Sequence, residues 1–364
     1  MTSHAAGRCL RWASLAMMGL PMPAWARSVH VTAATRPDGG TITWVVLSDA
    51  GGARSAVLQC DRDAGVREQP WRELNTLPAR VVMVTRHHSE VVLLLEGKGG
   101  AGQRQWAWCS DRFSYGPVIS EASHILAMAG DGRMLWALAL EVQKPRSPAI
   151  ESAGASTLPA AVGTFSLDGG VWRRANAPWP ATWDEGASVS MAIVGDRPVV
   201  AVHIEGLVRM FELDARSGQW RRLAGGDPPG RWIASKVLSV GGQPGVWLVG
   251  TDEDGTAGRL WMPGRAIVPL ALSGPPPSWN DMDLAAAADH LTLVFIRDSR
   301  TWEQRFGLDG RPQGSPLEIR RRRPDTPLSD WTTIAIMAIV TVLILNAILR
   351  RRNAARDQDR SDEQ

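Results

Sequence analysis

Val189-Ser-Met-Ala-Ile-Val194, Gly195-Asp-Arg-Pro198, Val199-Val-Ala-Val-His-Ile204 is the passage from which the rest of this chain can be read. Two short runs rich in β-branched residues flank four turn formers, which is the signature of a hairpin. The runs are apolar at nearly every position rather than at alternate ones, so both faces of these strands are predicted to be covered. The same unit recurs. Ile125–Ala129 and Met134–Leu140 flank Gly130 to Arg133, and Val81–Thr85 and Val91–Leu95 flank Arg86 to Glu90.

Outward from these hairpins the sequence repeats. Pro180-Ala-Thr-Trp183, Pro229-Gly-Arg-Trp232 and Pro276-Pro-Ser-Trp279 share P-x-x-W, with the tryptophans 49 and 47 residues apart. Trp71-Arg-Glu-Leu74, Trp172-Arg-Arg-Ala175 and Trp220-Arg-Arg-Leu223 share W-R-x-(L/A). A period near 48 residues carrying two buried strands, a mixed third (Leu207–Leu213) and a short fourth with W-R-x-L describes a four-stranded sheet repeated in series. Second strands are expected to start near 41, 91, 134, 199, 246 and 291. Six units follow: 28–76, 78–120, 122–176, 184–225, 231–273 and 280–320.

This pattern resembles β-propellers in general, in which four-stranded blades stand face to face around an axis. The expected fold is all-β: a six-bladed β-propeller, within a range of five to seven blades, followed by one transmembrane α-helix. Ser166-Leu-Asp-Gly-Gly-Val-Trp172 is similar to the Asp-box turn of sialidase-like propellers, one residue short before the Trp. The late Trp of each unit resembles the kelch pattern without its regular double glycine, and no named family is supported. A pair of β-sandwiches is the alternative; the regular four-strand period favours the propeller.

Both ends carry targeting signals. Arg8 and Arg11 precede an apolar run, Trp12–Leu20, that Pro21 and Pro23 break, and Ala24-Trp-Ala26 offers small residues for cleavage. Residues 1–26 are therefore read as a signal peptide. Thr332–Leu349 is uncharged and as a helix would reach about 27 Å, enough for a hydrocarbon core. Arg350, Arg351, Arg352 and Arg356 follow at once and mark the cytoplasmic side. The expected organisation is a propeller ectodomain over 27–320, a juxtamembrane linker over 321–331, a transmembrane helix over 332–349 and a cytoplasmic tail over 350–364. Arginine-rich, lysine-poor composition suggests a bacterium, which puts the ectodomain in the periplasm and the anchor in the inner membrane.

Composition narrows the function classes. Lys+Arg 40 against Asp+Glu 37 gives a net charge of +3, much of it beside the membrane, so nucleic-acid binding is not expected. Cys60 and Cys109 remain after cleavage; they occupy matching places in neighbouring units, and free buried thiols are favoured over a bridge. The histidines show no H-x-x-x-H or H-E-x-x-H spacing, and His87, His88 and Glu90 read as a solvated turn. Asp252-x-Asp254-Gly255 echoes the start of a calcium loop without its later acidic ligand. No nucleophile elbow or phosphate loop is present, and neither cofactor nor metal is expected.

In a propeller, the connections between blades and the turns between second and third strands share one face, here called the upper face. Trp183, Trp232 and Trp279, with Trp179, Asp184 and Glu185 beside them, are expected there, as are Asp252 and Asp254. These eight residues form the candidate binding surface for an envelope protein, a peptide or a glycan. The competing architectural role is that each Trp seals a joint between blades. Glu141–Ala161 breaks the repeat as a polar insertion on the same face. The leading functional expectation is a non-catalytic, membrane-anchored binding module. The alternative is a propeller hydrolase of the sialidase or glycosidase type, with Glu185, Asp252 and Asp283 as its carboxylates by position alone.

Overall fold

The computed structural model describes residues 28–322, apart from 50–53, 64–69, 88–89, 97–103, 111, 143–160, 181–185, 215, 253–254, 273–276 and 279–280. The expected signal peptide, transmembrane helix and tail lie outside the described residues. Among the described residues no helix is long and apolar enough to cross a membrane.

Residues 28–320 form an all-β, six-bladed propeller. Blade I runs from Ser28–Thr35 to Trp71–Leu77, blade II from Val81–His87 to Phe113–Tyr115, and blade III from Ala122–Gly130 to Val171–Arg174. Blade IV runs from Ser188–Val194 to Gln219–Arg222, blade V from Ala234–Val240 to Val268–Leu270, and blade VI from Met282–Ala286 to Leu317–Glu318. Taken up to residue 320, every blade is a four-stranded antiparallel meander in chain order. Second strands begin at Thr41, Glu90, Leu135, Arg197, Gln243 and His290, close to the expected positions. In blade IV the hairpin is tighter than the sequence pattern suggested. Val194 pairs with Arg197, so only Gly195 and Asp196 make the turn, and Arg197 and Pro198 already belong to the second strand. Gly195 has a φ of 66°, which a side chain would resist.

The first strand of each blade lies innermost. Each touches the first strands of both neighbouring blades, and the last touches the first, so the ring is closed. The continuous apolar runs are explained by the seams between blades. Each of the six hydrophobic clusters joins two adjacent blades rather than the two faces of one. Both faces of each sheet are therefore buried, as the unbroken hydrophobicity of Val199–Val202 and Leu291–Phe295 required.

The repeated tryptophans are seam residues. Trp71 packs into the seam between blades VI and I, Trp220 into III/IV, and Trp172 lies against II/III. In each W-R pair the arginine on the other side of the fourth strand is exposed where Arg173 and Arg221 stand. Trp220 Nε1 donates to Thr164 Oγ1 of the preceding blade at 3.0 Å, and Trp106 and Trp172 both donate to the Pro117 carbonyl, at 2.7 and 3.1 Å. Cys60 and Cys109 are buried thiols and not a disulfide; burial pushes each up to about 11, which leaves them protonated and unreactive.

The closing seam carries an extra bond. Arg62 of blade I and Glu303 of blade VI are 241 residues apart and nearly inaccessible, with side chains 3% and 1% exposed. They form a bidentate pair, with one of its two bonds at 2.8 Å. Arg62 also lies over the Trp71 ring at 5.4 Å, and Arg305 Nε adds a bond to Glu303 at 3.3 Å. Removing one partner strands a buried charge. Arg62→Met or Glu303→Leu alone is expected to lower stability by about 3–5 kcal/mol. The double variant should lose clearly less than the sum of the singles in denaturant unfolding.

Candidate functional site

The innermost strands surround an axial channel. Their inner edges leave alternate N–H and C=O groups without a sheet partner, and these must find other partners. A side chain of the preceding blade supplies several of them. Gly130 N–H donates to Thr85 Oγ1 at 2.9 Å, Val237 N–H to Ser190 Oγ at 2.9 Å, and Val31 N–H to Asp283 Oδ2 at 2.7 Å.

The last of these differs in kind, because the acceptor is a carboxylate. Lys236 of blade V meets it: Nζ donates to the two Asp283 oxygens at 2.8 and 2.7 Å and to the Val31 carbonyl at 3.0 Å. Leu284 N–H completes the set at 2.9 Å on Asp283 Oδ1. One ammonium, one carboxylate and the main-chain N–H and C=O of Val31 thus tie blades V, VI and I together at the axis. The Asp283 side chain is 8% exposed and that of Lys236 26%. Lys236 borders the space on both sides, so this clasp forms a waist between an upper and a lower chamber.

The upper chamber, of about 320 Å³, is lined by His30, Arg80, Ser190, Ser235, Lys236 and Asp283 over a floor that includes Met128 and Met191. Burial pushes His30 down to about 4; Lys236 and Arg80 lower it further, while Asp283 and a backbone hydrogen bond at Val81 oppose the shift. His30 is therefore neutral in the folded protein near neutral pH. Arg80 stands at the rim, half exposed, 3.6 Å from Glu96. Asp283 accepts from Val31, Lys236 and Leu284, and His30 is held neutral.

Of the candidate surface, Trp179 and Trp232 are described in full. Trp179 is half-buried in the III/IV seam, with ring centroids 5.6 Å from Phe211 and 5.4 Å from Trp220. Trp232 is 9% exposed in the IV/V seam; its Nε1 donates to the Pro229 carbonyl at 3.1 Å, and Arg259 stacks over its ring at 5.8 Å. The two indoles belong to different seams and do not meet. Asp252 ends the second strand of blade V, paired with Gly255 across the hairpin. Trp183, Asp184, Glu185, Asp254 and Trp279 lie outside the described residues. Among the described residues no group of three or more His, Cys, Asp or Glu side chains is arranged to hold a metal ion.

No family model matches the chain, and no curated protein does. Among solved structures it is similar to the six-bladed lectin of the fungus Aleuria aurantia, at 11% identity and a TM-score of 0.53, over 82% of this chain and 97% of that one. What is shared is the six-bladed propeller. A mutant of that lectin in complex with α-methyl-L-fucoside gives a TM-score of 0.54 at 10% identity, over 82% and 97% of the two chains. The sialidase of Trypanosoma rangeli is a looser likeness, at 11% identity and a TM-score of 0.40 over 77% of this chain and 52% of that one, and carries no argument.

Sequence reasoning missed the clasp. Its signal was present: Lys236 is one of three lysines and interrupts the apolar strand Ala234–Val240, and Asp283 interrupts Met282–Ala286. The neutral His30 has a consequence for stability. The unfolded chain takes up a proton near pH 6.5 that the folded protein refuses until about 4. Stability is present above 6.5 and is lost as the pH falls towards 4. The melting temperature is expected to fall over this window, and more shallowly in His30→Gln.

Proposed function

We propose that this chain is a membrane-anchored, extracytoplasmic propeller that serves as a non-catalytic binding module in the bacterial envelope. The observation that carries the reading is the state of the axial groups. Asp283 accepts hydrogen bonds from Val31, Leu284 and Lys236, and His30 is held neutral by burial. The groups nearest the channel serve to hold three blades in place, which suits a rigid scaffold better than a hydrolase. The apolar run of residues 332–349 and the arginines after it support a single-pass anchor with the tail in the cytoplasm. The run before Ala26 supports export of the ring to the periplasm.

The upper face is the proposed contact surface, through Trp183, Asp184, Glu185, Asp252, Asp254 and Trp279. Trp179 and Trp232 contribute by packing the III/IV and IV/V seams. An aromatic and acidic rim suits an envelope protein, a peptide or a glycan. The lectin that shares the fold takes a fucoside, so a glycan array is the first screen.

Two measurements test this. Protease added to spheroplasts should digest residues 28–320 and spare an epitope at the C-terminus; the reverse pattern would overturn the topology. Full-length protein crosslinked in intact cells and purified from solubilised membranes should retain a partner, or bind a glycan on the array. Either interaction should fall at least tenfold in Glu185→Lys or Asp184→Lys at an unchanged melting temperature. Binding that is indifferent to both would remove the upper face from the function.

A further inference from the structure

The lower chamber has no part in that reading. It holds about 390 Å³ below the waist, within the range of small-molecule sites, about 300–1,000 Å³. All six blades contribute the ends of their first strands and the turns that follow. Many of the lining residues are small, among them Ala33, Ala129, Ala192, Gly195 and Ala285–Ala288. Large side chains at these positions would have filled the axis; here the space stays open.

Polar groups converge on this space. Arg86, at the end of the first strand of blade II, lines the chamber and is half-buried. Among the described residues no hydrogen bond or ion pair holds its guanidinium. Burial lowers its pKa, and the Asp131 charge opposes that in part. Asp131 has other work: its Oδ1 accepts the N–H groups of Arg133 and Met134 and shapes the turn of blade III, at 2.8 and 3.0 Å. The remaining lining charge, Lys236, is paired with Asp283 at the waist.

Thr35 and Thr85 line the same chamber. Thr85 Oγ1 accepts Gly130 N–H and Thr35 Oγ1 accepts Ala288 N–H, both at 2.9 Å. Each hydroxyl therefore keeps its own proton to donate. The main chain adds an open edge. Val31 turns its N–H and C=O inwards to Asp283 and Lys236, and the first two strands of blade I pair without a bulge. Strand alternation then points the N–H and C=O of Ala33 inwards too, two residues below the waist.

We propose that the lower chamber binds a small polyhydroxylated carboxylate, a sugar acid by class. The Arg86 fork takes the carboxylate in bidentate fashion, and Thr35, Thr85 and the edge at Ala33 take the hydroxyls. A guanidinium matches the planar two-oxygen geometry of a carboxylate, and its partial burial strengthens the pairing. The site lies at the opposite end of the channel from the proposed partner surface, and its occupancy does not depend on that surface.

The test uses full-length protein in detergent micelles, titrated by calorimetry with glucuronate, galacturonate, glucose and inorganic phosphate. Glucuronate or galacturonate is expected to bind at least tenfold more tightly than glucose and than phosphate. Arg86→Gln should weaken the sugar acid at least tenfold at an unchanged melting temperature, and Arg86→Lys should recover only part of the loss. Ala288→Phe, at the exposed mouth, should block binding with the Arg86 fork intact. Glu185→Lys should leave it unchanged, which separates this site from the upper face. No binding of either sugar acid, equal binding of phosphate, or an Arg86→Gln variant that binds as well as the parent would each overturn the proposal.

Discussion

Closure of the ring is the constraint on which this structure depends. Each sheet is apolar on both sides, so an open stack of six would leave two bare faces in water. Only contact between blade VI and blade I removes them. Val29, Val31, Leu58, Ala285, Val294 and Ile319 supply the apolar part of that contact. Apolar packing tolerates slip; the bidentate bond from Arg62 to Glu303 does not, and it sets which strand faces which. Residues 241 apart in the chain are thus joined by a two-point bond.

The chemistry of the axis follows from the same closure. Bringing six innermost strands together aims unpaired main-chain groups at a narrow channel. Hydroxyls satisfy them at Thr85 and Ser190, at no cost in charge. At the closing seam the acceptor is Asp283, and a carboxylate taken from water needs a counter-charge. Lys236 supplies it from the blade on the other side. An ion pair in the middle of a protein invites a catalytic reading. Here its bonds run to the main-chain N–H and C=O of Val31, so it acts as a structural joint that also divides the channel into two chambers.

The repeat was legible because it reports the seams directly. Trp71, Trp172 and Trp220 recur since each fourth strand must tuck one large side chain against the blade before it. The second-strand positions were legible to within a few residues, since hairpin turns carry local glycines and aspartates. The end of the blade IV turn was misplaced because Pro198 reads as a turn former, although a strand position paired with Ile193 accommodates it. The site was less legible. Trp232 reads alike whether it seals a seam or faces a ligand, and only its packed neighbours distinguish the two. Arg86 is one arginine among many; what sets it apart is a chamber whose other walls are 43 to 202 residues away in the chain.

Local rules therefore determined the strands, their hairpins, the period and the number of blades, because each arises from neighbours along the chain or from one repeated unit. Which polar residues meet at the axis was decided by tertiary structure alone. Val31, Lys236 and Asp283 share no motif; Lys236 and Asp283 stand one repeat apart, at 47 residues, but Val31 is 252 residues from Asp283, and the three meet only when the ring is complete. Solvent exclusion at that point, rather than the identity of the three residues, turns an ordinary lysine, aspartate and stretch of main chain into a clasp with a chamber on either side.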